Sequence, residues 1–524
     1  MNHSTSIKMN KKSTTNIDAA EVEHQKAKVM SLENALSLTG FGKYNFSLLV
    51  VCSMTLQAMG MDLFGISFIV AAAVCDLELT MQQRALLTAT PLIGVVLGAQ
   101  AWGYISDTKG RRLTLVLSMS LGFVFAALSC FSPDWKTMAA LKLMSSTFTS
   151  ASNSGAYTLL GESCSCHSRG RAMLLCTCAL MCSQASAAVV AYPILPLEFS
   201  YHIEFLGITF NSWRLLTAVM AVPCAVTACL LLFFYESPKF LASQGRYSEA
   251  LDVLKGIYAC NTGDRADNFP VSKLLEDEEN QSIVLEGCFL RSLWQQTAPL
   301  FRSPLRKDTL SLFYLVIIIY MTGSGFILWL PYIMNNLFIV LESGGGDGMN
   351  LCSVIRYTEE YTLSGNDTAI GEVCNDTIQE TTLFSAMIYG ALASSSNLVL
   401  SLTCGGRKRL AMMCILAMSA TSAILVNLVR VPLAGGIFFF FFIMCALSMG
   451  LLSVYFVELY PTSLRGMASC LSVMVGRSSA FLGVNAIGAL LSLNCEGTFY
   501  GWALLLLSAL ITAWFLPRDR RSPK

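Results

Sequence analysis

The chain has 524 residues, of which 54% are hydrophobic and only 13% charged, and its formal net charge is +1. Soluble domains carry about 25% charged residues, so this composition, with a mean hydropathy of +0.57, excludes a soluble protein and specifies an integral membrane one. The near-zero net charge excludes nucleic acid as a partner on bulk electrostatic grounds.

Residues 1–44 are polar and lysine-bearing, lack the apolar core of a secretion signal, and read as a cytosolic tail that turns helical near Ala35. Twelve apolar stretches follow. Each can cross a bilayer as a helix, which takes about 20 residues. The first six are predicted at Phe46–Val70, Arg84–Ile105, Leu113–Phe131, Lys136–Leu160, Arg171–Ile194 and Trp213–Tyr235. The second six are predicted at Thr309–Asn335, Leu383–Thr403, Leu410–Val429, Val431–Tyr455, Gly466–Leu491 and Trp502–Leu516. The fold class expected is therefore an all-α membrane protein of two six-helix bundles, 45–235 and 309–517, with a cytosolic linker at 236–308 and a tail at 518–524. Paired halves of this kind surround a site near the membrane midplane.

Charge sets the orientation. Lys43, Lys109, Arg111, Arg112, Arg169, Arg171, Arg302, Arg306, Lys307, the run Arg407 to Arg409, Arg465, Arg518, Arg520 and Arg521 all fall on one side of the alternation. The opposite connections Ala71–Gln83 and Leu195–Ser212 contain no Lys or Arg. Short basic loops stay cytoplasmic, so both termini are expected inside.

Trp102 to Arg112 reads as a very short cytoplasmic loop pinched between two spans. There Gly103 should let helices approach closely, and Gly110 should permit a tight turn. Asp107 should pair with arginines of neighbouring helices, while Arg111 and Arg112 anchor the next span. Glu162 and Glu458 end spans 4 and 10 beside Arg169 and Arg465, a pseudo-symmetric arrangement that reads as gating salt bridges. In the linker, Ser237 should cap a short helix beginning at Pro238 and Gly245 should end it. A second helix is expected over Ser248–Tyr258, with Ala250, Leu251, Leu254 and Ile257 on one face. The acidic run Glu276 to Glu279 reads as a solvated face.

The loop at 336–382 is the long one on the outer side. It carries the N-x-T sequons at Asn366 and Asn375, candidates for glycosylation. Cys352 and Cys374 are its two cysteines, and an oxidising lumen favours pairing them. The remaining cysteines lie mostly in apolar spans, where a thiol acts as a small hydrophobe. The spacing C-S-C-H at Cys164 fits no structural zinc site, so no metal and no cofactor are expected. No phosphate-binding loop or other enzyme motif is present in the sequence.

The sharpest chemical signals are ionisable groups at membrane depth, which are costly unless paired or wetted. Asp62 lies inside span 1, Arg477 near the middle of span 11 and Lys142 a turn or two inside span 4. Asp62 and Arg477 are read as cavity-facing groups able to pair with each other; a purely structural ion pair is the alternative. Lys142 either faces the cavity or snorkels toward the outer surface. Asn153, Tyr192, Tyr320, Trp329 and Asn485 are candidates for the remaining wall.

The spacing G-x-x-x-D-x-x-G-R-R from Gly103 resembles the loop between helices 2 and 3 of the major facilitator superfamily, with Thr108 where a basic residue is usual. Within it, several stretches resemble the synaptic vesicle glycoprotein 2 group: G-F-G-K-Y-N-F at Gly40, F-N-S-W-R-L-L at Phe210, Y-E-S-P-K-F-L at Tyr235, F-R-S-P-L-R-K-D-T-L at Phe301 and V-E-L-Y-P-T-S-L-R-G at Val457. The resemblance implies a twelve-helix, two-lobed carrier. It also marks departures: Met59 and Lys142 replace an acid and an arginine of the family, Thr403 stands at an acidic position of the second half, and the outer loop is too short for the group's luminal domain. The chain is therefore expected to be a divergent relative without the toxin-receptor role.

The function expected is alternating-access transport of a small polar or charged organic solute, with or without a coupling ion, by a monomer in the lipid bilayer of the plasma membrane or a vesicle. Two rivals stay open: an organic cation or anion carrier of the same superfamily, and a vesicle protein that no longer transports and acts by binding partners.

Overall fold

The computed structural model describes residues 29–275 and 298–517, without 206, 304, 345–347, 364–377, 404–406 and 461. Side chains at 358–363, 401–403, 457, 458 and 462–466 are outside the description as well. The candidates Cys374, Asn366, Asn375, Glu458 and Arg465, and the acidic run Glu276 to Glu279, therefore lie outside the described residues.

A bilayer offers no water to unpaired backbone groups, so each apolar stretch closes its own hydrogen bonds as a helix. A short helix α1 (Leu32–Leu38) precedes the first span, which is α2 (Lys43–Phe64) continued by α3 (Ile66–Ala72). Then come α4 (Met81–Lys109), α5 (Arg111–Leu128), the broken segment α6 (Trp135–Thr149) and α7 (Ser152–Ser163), the bent pair α8 (Cys166–Met181) and α9 (Ser183–Ile194), and α10 (Ser212–Leu231). Two short linker helices follow, α11 (Pro238–Ser243) and α12 (Tyr247–Thr262). The second set is α13 (Arg306–Glu342), α14 (Leu351–Leu363), α15 (Glu380–Thr403), α16 (Lys408–Leu428), α17 (Pro432–Ile443) leading into α18 (Ser448–Leu459), and α19 (Thr462–Trp514). Among the described residues, 9 helices are long and apolar enough to cross a membrane, or 10 with the pair α8 and α9, which is bent by 41°. The other two predicted spans are the broken α6–α7 segment and the far half of α19. That helix is interrupted at Asn494, whose φ of −155° and ψ of 90° are not helical.

Strands are marginal: β1 (Val29–Met30) pairs in parallel with β4 (Lys273–Leu274), and β2 (Tyr201–Ile203) pairs antiparallel with β3 (Ile208–Phe210). The β1–β4 pair closes a small apolar cluster beneath the first bundle, in which Leu36 of α1, Phe240 of α11 and Leu254 of α12 are buried together. The linker matches its sequence: the Ser237 hydroxyl accepts from the Phe240 amide at 3.0 Å, and Ala250, Leu251, Leu254 and Ile257 form the buried face of α12.

The stretch predicted as a loop is different. Helix α4 runs through it to Lys109, and the turn into α5 is Gly110 alone, at φ +112°. Side chains rarely adopt that backbone conformation, so one glycine replaces a loop. Gly103 does not mediate close packing, because a β-carbon there would meet nothing within 4 Å. The close approach occurs about one and a half and two and a half turns earlier, where α4 meets α6. A β-carbon at Gly94 would lie 2.7 Å from the Leu143 carbonyl oxygen, and one at Gly98 would collide with the Thr147 carbonyl oxygen. Backbone cannot retreat as a flexible side chain can, and overpacking a helix contact costs about 1–3 kcal/mol. Gly98→Val should lower thermal stability in detergent by at least that much, whereas Gly103→Ala, which adds a β-carbon in open space within a helix, should hold it or raise it by up to about 1 kcal/mol.

The outer side also departs from expectation. Helix α13 continues to Glu342, and α14 occupies part of the predicted loop. Cys352 of α14 is bonded to Cys495, with Cα atoms 5.6 Å apart, and not to Cys374. The break at Asn494 is the physical reason: it sets Cys495 at the junction of the last two spans, at the end where α14 sits. Polar contacts fix this corner, since the Asn350 amide donates to the Asn427 carbonyl at 3.0 Å and the Asn427 amide donates to the Glu496 carbonyl at 2.9 Å. Cys75 is disulfide-bonded as well. In the second bundle the core is aromatic: Phe326 packs edge-on to Phe442 at 4.7 Å and to Trp502 at 5.5 Å.

Candidate functional site

The ionisable groups at membrane depth sort into two distinct environments. Asp62 of α2 does not meet Arg477. It forms a buried ion pair with Lys142 of α6 at 3.1 Å, with side chains 3% and 2% exposed respectively. The Ser145 hydroxyl donates to the second carboxylate oxygen at 2.9 Å. Lys142 is thus neither snorkelling nor cavity-facing. One helical turn separates it from Ser145, so both reach the same carboxylate from one face of α6.

Arg477 of α19 is only 7% exposed. Its guanidinium carbon lies 5.8 Å from the ring centroid of Tyr320 on α13. Its Nε has no hydrogen-bond partner among the described residues. Arg477, Tyr320 and Ser324 line a cavity of about 360 Å³. The opposite wall comes from the first bundle: Phe64 of α2, Tyr157 of α7, Met173, Thr177 and Met181 of α8 and Gln184 of α9. Tyr389 of α15 and Met444, Met449 and Gly450 around α18 complete it. The Tyr157 hydroxyl is 3.2 Å from that of Thr177. Gln184 is 3% exposed, and neither of its amide atoms has a partner. Sequence reasoning passed over Gln184; an amide inside an otherwise apolar span is the signal that could have found it.

The other predicted wall residues stand elsewhere. Tyr192 lies at the far end of α9, its hydroxyl 3.4 Å from Glu380 and its ring 5.1 Å from Phe384. Trp329 is buried and donates to the Val484 carbonyl at 3.0 Å, so it joins α13 to α19. The Asn485 amide donates to the Phe481 carbonyl of its own helix at 2.9 Å. Asn153 is half-buried and is not among the cavity-lining residues.

The charges read from the sequence as cytoplasmic form a clamp whose partners differ from those expected. Glu162 pairs with Arg111, at 3.2 Å, rather than with Arg169. Arg169 pairs instead with Glu33 of α1 at 2.8 Å. Asp107 pairs with Arg111, the first residue of α5, at 3.1 Å and is 74% exposed; this is its one ion pair among the described residues. The amides of Arg111 and Arg112 donate to Glu236 at 2.8 and 3.0 Å. An anion at the start of α5 is favourable, because unpaired amides and the helix dipole converge there. Arg112 in turn donates to the Leu231 carbonyl at the end of α10, at 3.0 Å. Burial raises the Glu33 carboxyl, but hydrogen bonds from the Cys166 thiol and the charge of Arg169 outweigh it and hold its pKa below the ordinary value. All these described partners belong to the N-terminal segment, the first bundle and its linker. They tie that bundle's ends together, and no described ion pair crosses to the second bundle.

A further ion pair had no forecast. Arg214, in the F-N-S-W-R stretch, is 2% exposed and pairs with Asp76 at 3.1 Å. It also donates to the Cys130 and Ser132 carbonyls at 3.0 and 2.7 Å and lies 4.3 Å over the Trp213 ring. That motif therefore ties the start of α10 to Asp76 and to the turn at 130–132.

The family model of the Major Facilitator Superfamily matches residues 50–344. Synaptic vesicle glycoprotein 2C of Mus musculus is 26% identical over 319 residues, covering 57% of this chain and 44% of that protein. Synaptic vesicle glycoprotein 2A of Rattus norvegicus is 28% identical over 230 residues, covering 44% of this chain and 31% of that protein. The chain thus spans less than half the length of these relatives. The xylose transporter XylE of E. coli, in a partially occluded inward-open conformation, superposes with a TM-score of 0.63 at 16% identity, over 91% of this chain and 100% of its own. With helices of this length and order and a match over more than half its residues, the chain is a multi-pass integral membrane protein that belongs to the Major Facilitator Superfamily.

Proposed function

We propose that the protein is a secondary carrier that moves a small solute by alternating access around the cavity lined by Arg477 and Tyr320. One observation carries this reading: the cavity draws its wall from both bundles and holds a buried arginine with no described anionic partner. A charge in that position is costly unless something binds it or wets it. The family supports transport in general, and the xylose transporter shares the fold.

Both termini are read as cytoplasmic, from the asymmetry of Lys and Arg between the loops. Asp62 is engaged by Lys142, and no carboxylate stands among the described lining residues. The reading carried forward is therefore uniport or exchange by a monomer, without proton coupling through Asp62.

Reconstituted vesicles test it. Labelled carboxylates, sugars and amines are offered to the purified protein, and at least one should enter faster than into empty vesicles. Ala393 of α15 also lines the cavity; Ala393→Trp adds a large side chain to that wall, and it should abolish that uptake while the protein still elutes as a single folded species. Uptake that survives Ala393→Trp, or no uptake of any solute, overturns the reading.

A further inference from the structure

We infer that the cavity takes a monoanionic organic solute, a carboxylate carried on a largely apolar or aromatic body; this rests on the carrier reading above. Arg477 supplies the only formal charge among the described lining residues. No described residue accepts a hydrogen bond from it, and its contact is the face of Tyr320 at 5.8 Å. A guanidinium offers a planar fork of donors that matches a carboxylate in bidentate geometry. An organic cation entering the same space meets a like charge and no acid.

The rest of the wall decides the body of the solute. Met173, Met181, Met444 and Met449 contribute soft, unbranched side chains that adapt to apolar shapes. A polyhydroxylated solute would need many free donors and acceptors around it, and among the described lining residues the hydroxyls of Thr177, Ser183 and Ser453 already donate to backbone carbonyls. The Ser183 hydroxyl donates to the Leu180 carbonyl at 2.7 Å and that of Ser453 to the Met449 carbonyl at 3.0 Å. The Thr177 hydroxyl donates to the Met173 carbonyl at 3.0 Å. The amide of Gln184 is buried with both its atoms unpartnered among the described residues. It faces the cavity from the bundle opposite Arg477, so a solute held by both groups bridges the two halves.

Binding to the purified full chain tests this with four probes: 3-phenylpropionate, its amide, 3-phenylpropylamine and xylose. The carboxylate should bind at least about tenfold more tightly than the other three, since hydrogen bonds to a charged group are the strong ones. Arg477→Gln should weaken the carboxylate about 10- to 100-fold, and Arg477→Lys less, because lysine keeps the charge without the fork. Gln184→Leu should weaken it about 5- to 10-fold. If Arg477→Gln does not fold, Arg477→Lys and Gln184→Leu carry the test. The inference is overturned if the amine, the amide or xylose binds as tightly as the carboxylate, if none of the four binds, or if these variants keep full affinity. Vesicle uptake separates the two readings. Uptake of the amine or xylose without the carboxylate retains a carrier and rejects the anion. Arginine-dependent carboxylate binding with no uptake retains the anion site and rejects the carrier.

Discussion

Lys142→Met should lower the stability of the folded protein by about 3–5 kcal/mol, the cost of leaving one member of a buried ion pair uncompensated. Asp62 would keep the Ser145 hydroxyl at 2.9 Å as its remaining described partner. Neither side chain reaches water, being 3% and 2% exposed. Asp62→Asn should cost a similar amount by stranding Lys142. The double variant Asp62→Leu with Lys142→Met should recover most of the loss, since a packed apolar pair replaces a buried ionic one at little or no cost. Thermal unfolding in detergent measures all three. Because the pair stands outside the cavity lining, solute affinity per folded molecule should stay within about twofold in the double variant. Single variants as stable as the parent would mean that water reaches the pair. A folded double variant that binds no solute would return Asp62 to the binding site.

The second large effect is expected at the outer corner. Cys352→Ser and Cys495→Ser should each cost about 2–5 kcal/mol, because the bond closes a sequence separation of 143 residues. Membrane spans inside that loop already restrict the unfolded chain, so the lower part of the range is expected. The two single variants and the double variant should unfold at the same temperature, since either change removes the same bond. Cys75, which is bonded separately, remains intact in all three, and this makes substitution a cleaner test than reductant. Additive losses in the double variant would show that the two residues contribute independently of a shared bond.

Hydropathy and local chemistry carried the architecture without help from tertiary contacts. A helix in a bilayer must satisfy its own backbone, so a run of about 20 apolar residues is enough to specify a span. Local caps were legible for the same reason: Ser237, Pro238 and the buried face of α12 depend on neighbours within one or two turns. Arg477 was also recognisable, because a guanidinium in mid-span is costly wherever its helix faces.

Partners were another matter. Asp62 finds Lys142 across 80 positions of sequence, Glu162 finds Arg111 across 51, and Cys352 finds Cys495 across 143. For Glu162 and Cys352 a nearer partner, Arg169 or Cys374, had seemed preferable, and for Asp62 the far more distant Arg477. Hydropathy gives the depth of a residue but not the azimuth of its helix, and pairing is decided by azimuth. The same holds for glycine: Gly98 abuts the Thr147 carbonyl while Gly103 faces open space, although one and a half turns of the same helix separate them. Gln184 faces the cavity and Trp329 does not, because helix rotation is set by the packing of α9 and α13 against their neighbours. The chain by itself determined how many times it crosses the membrane; helix packing alone decided which charges neutralise one another and which was left facing the cavity.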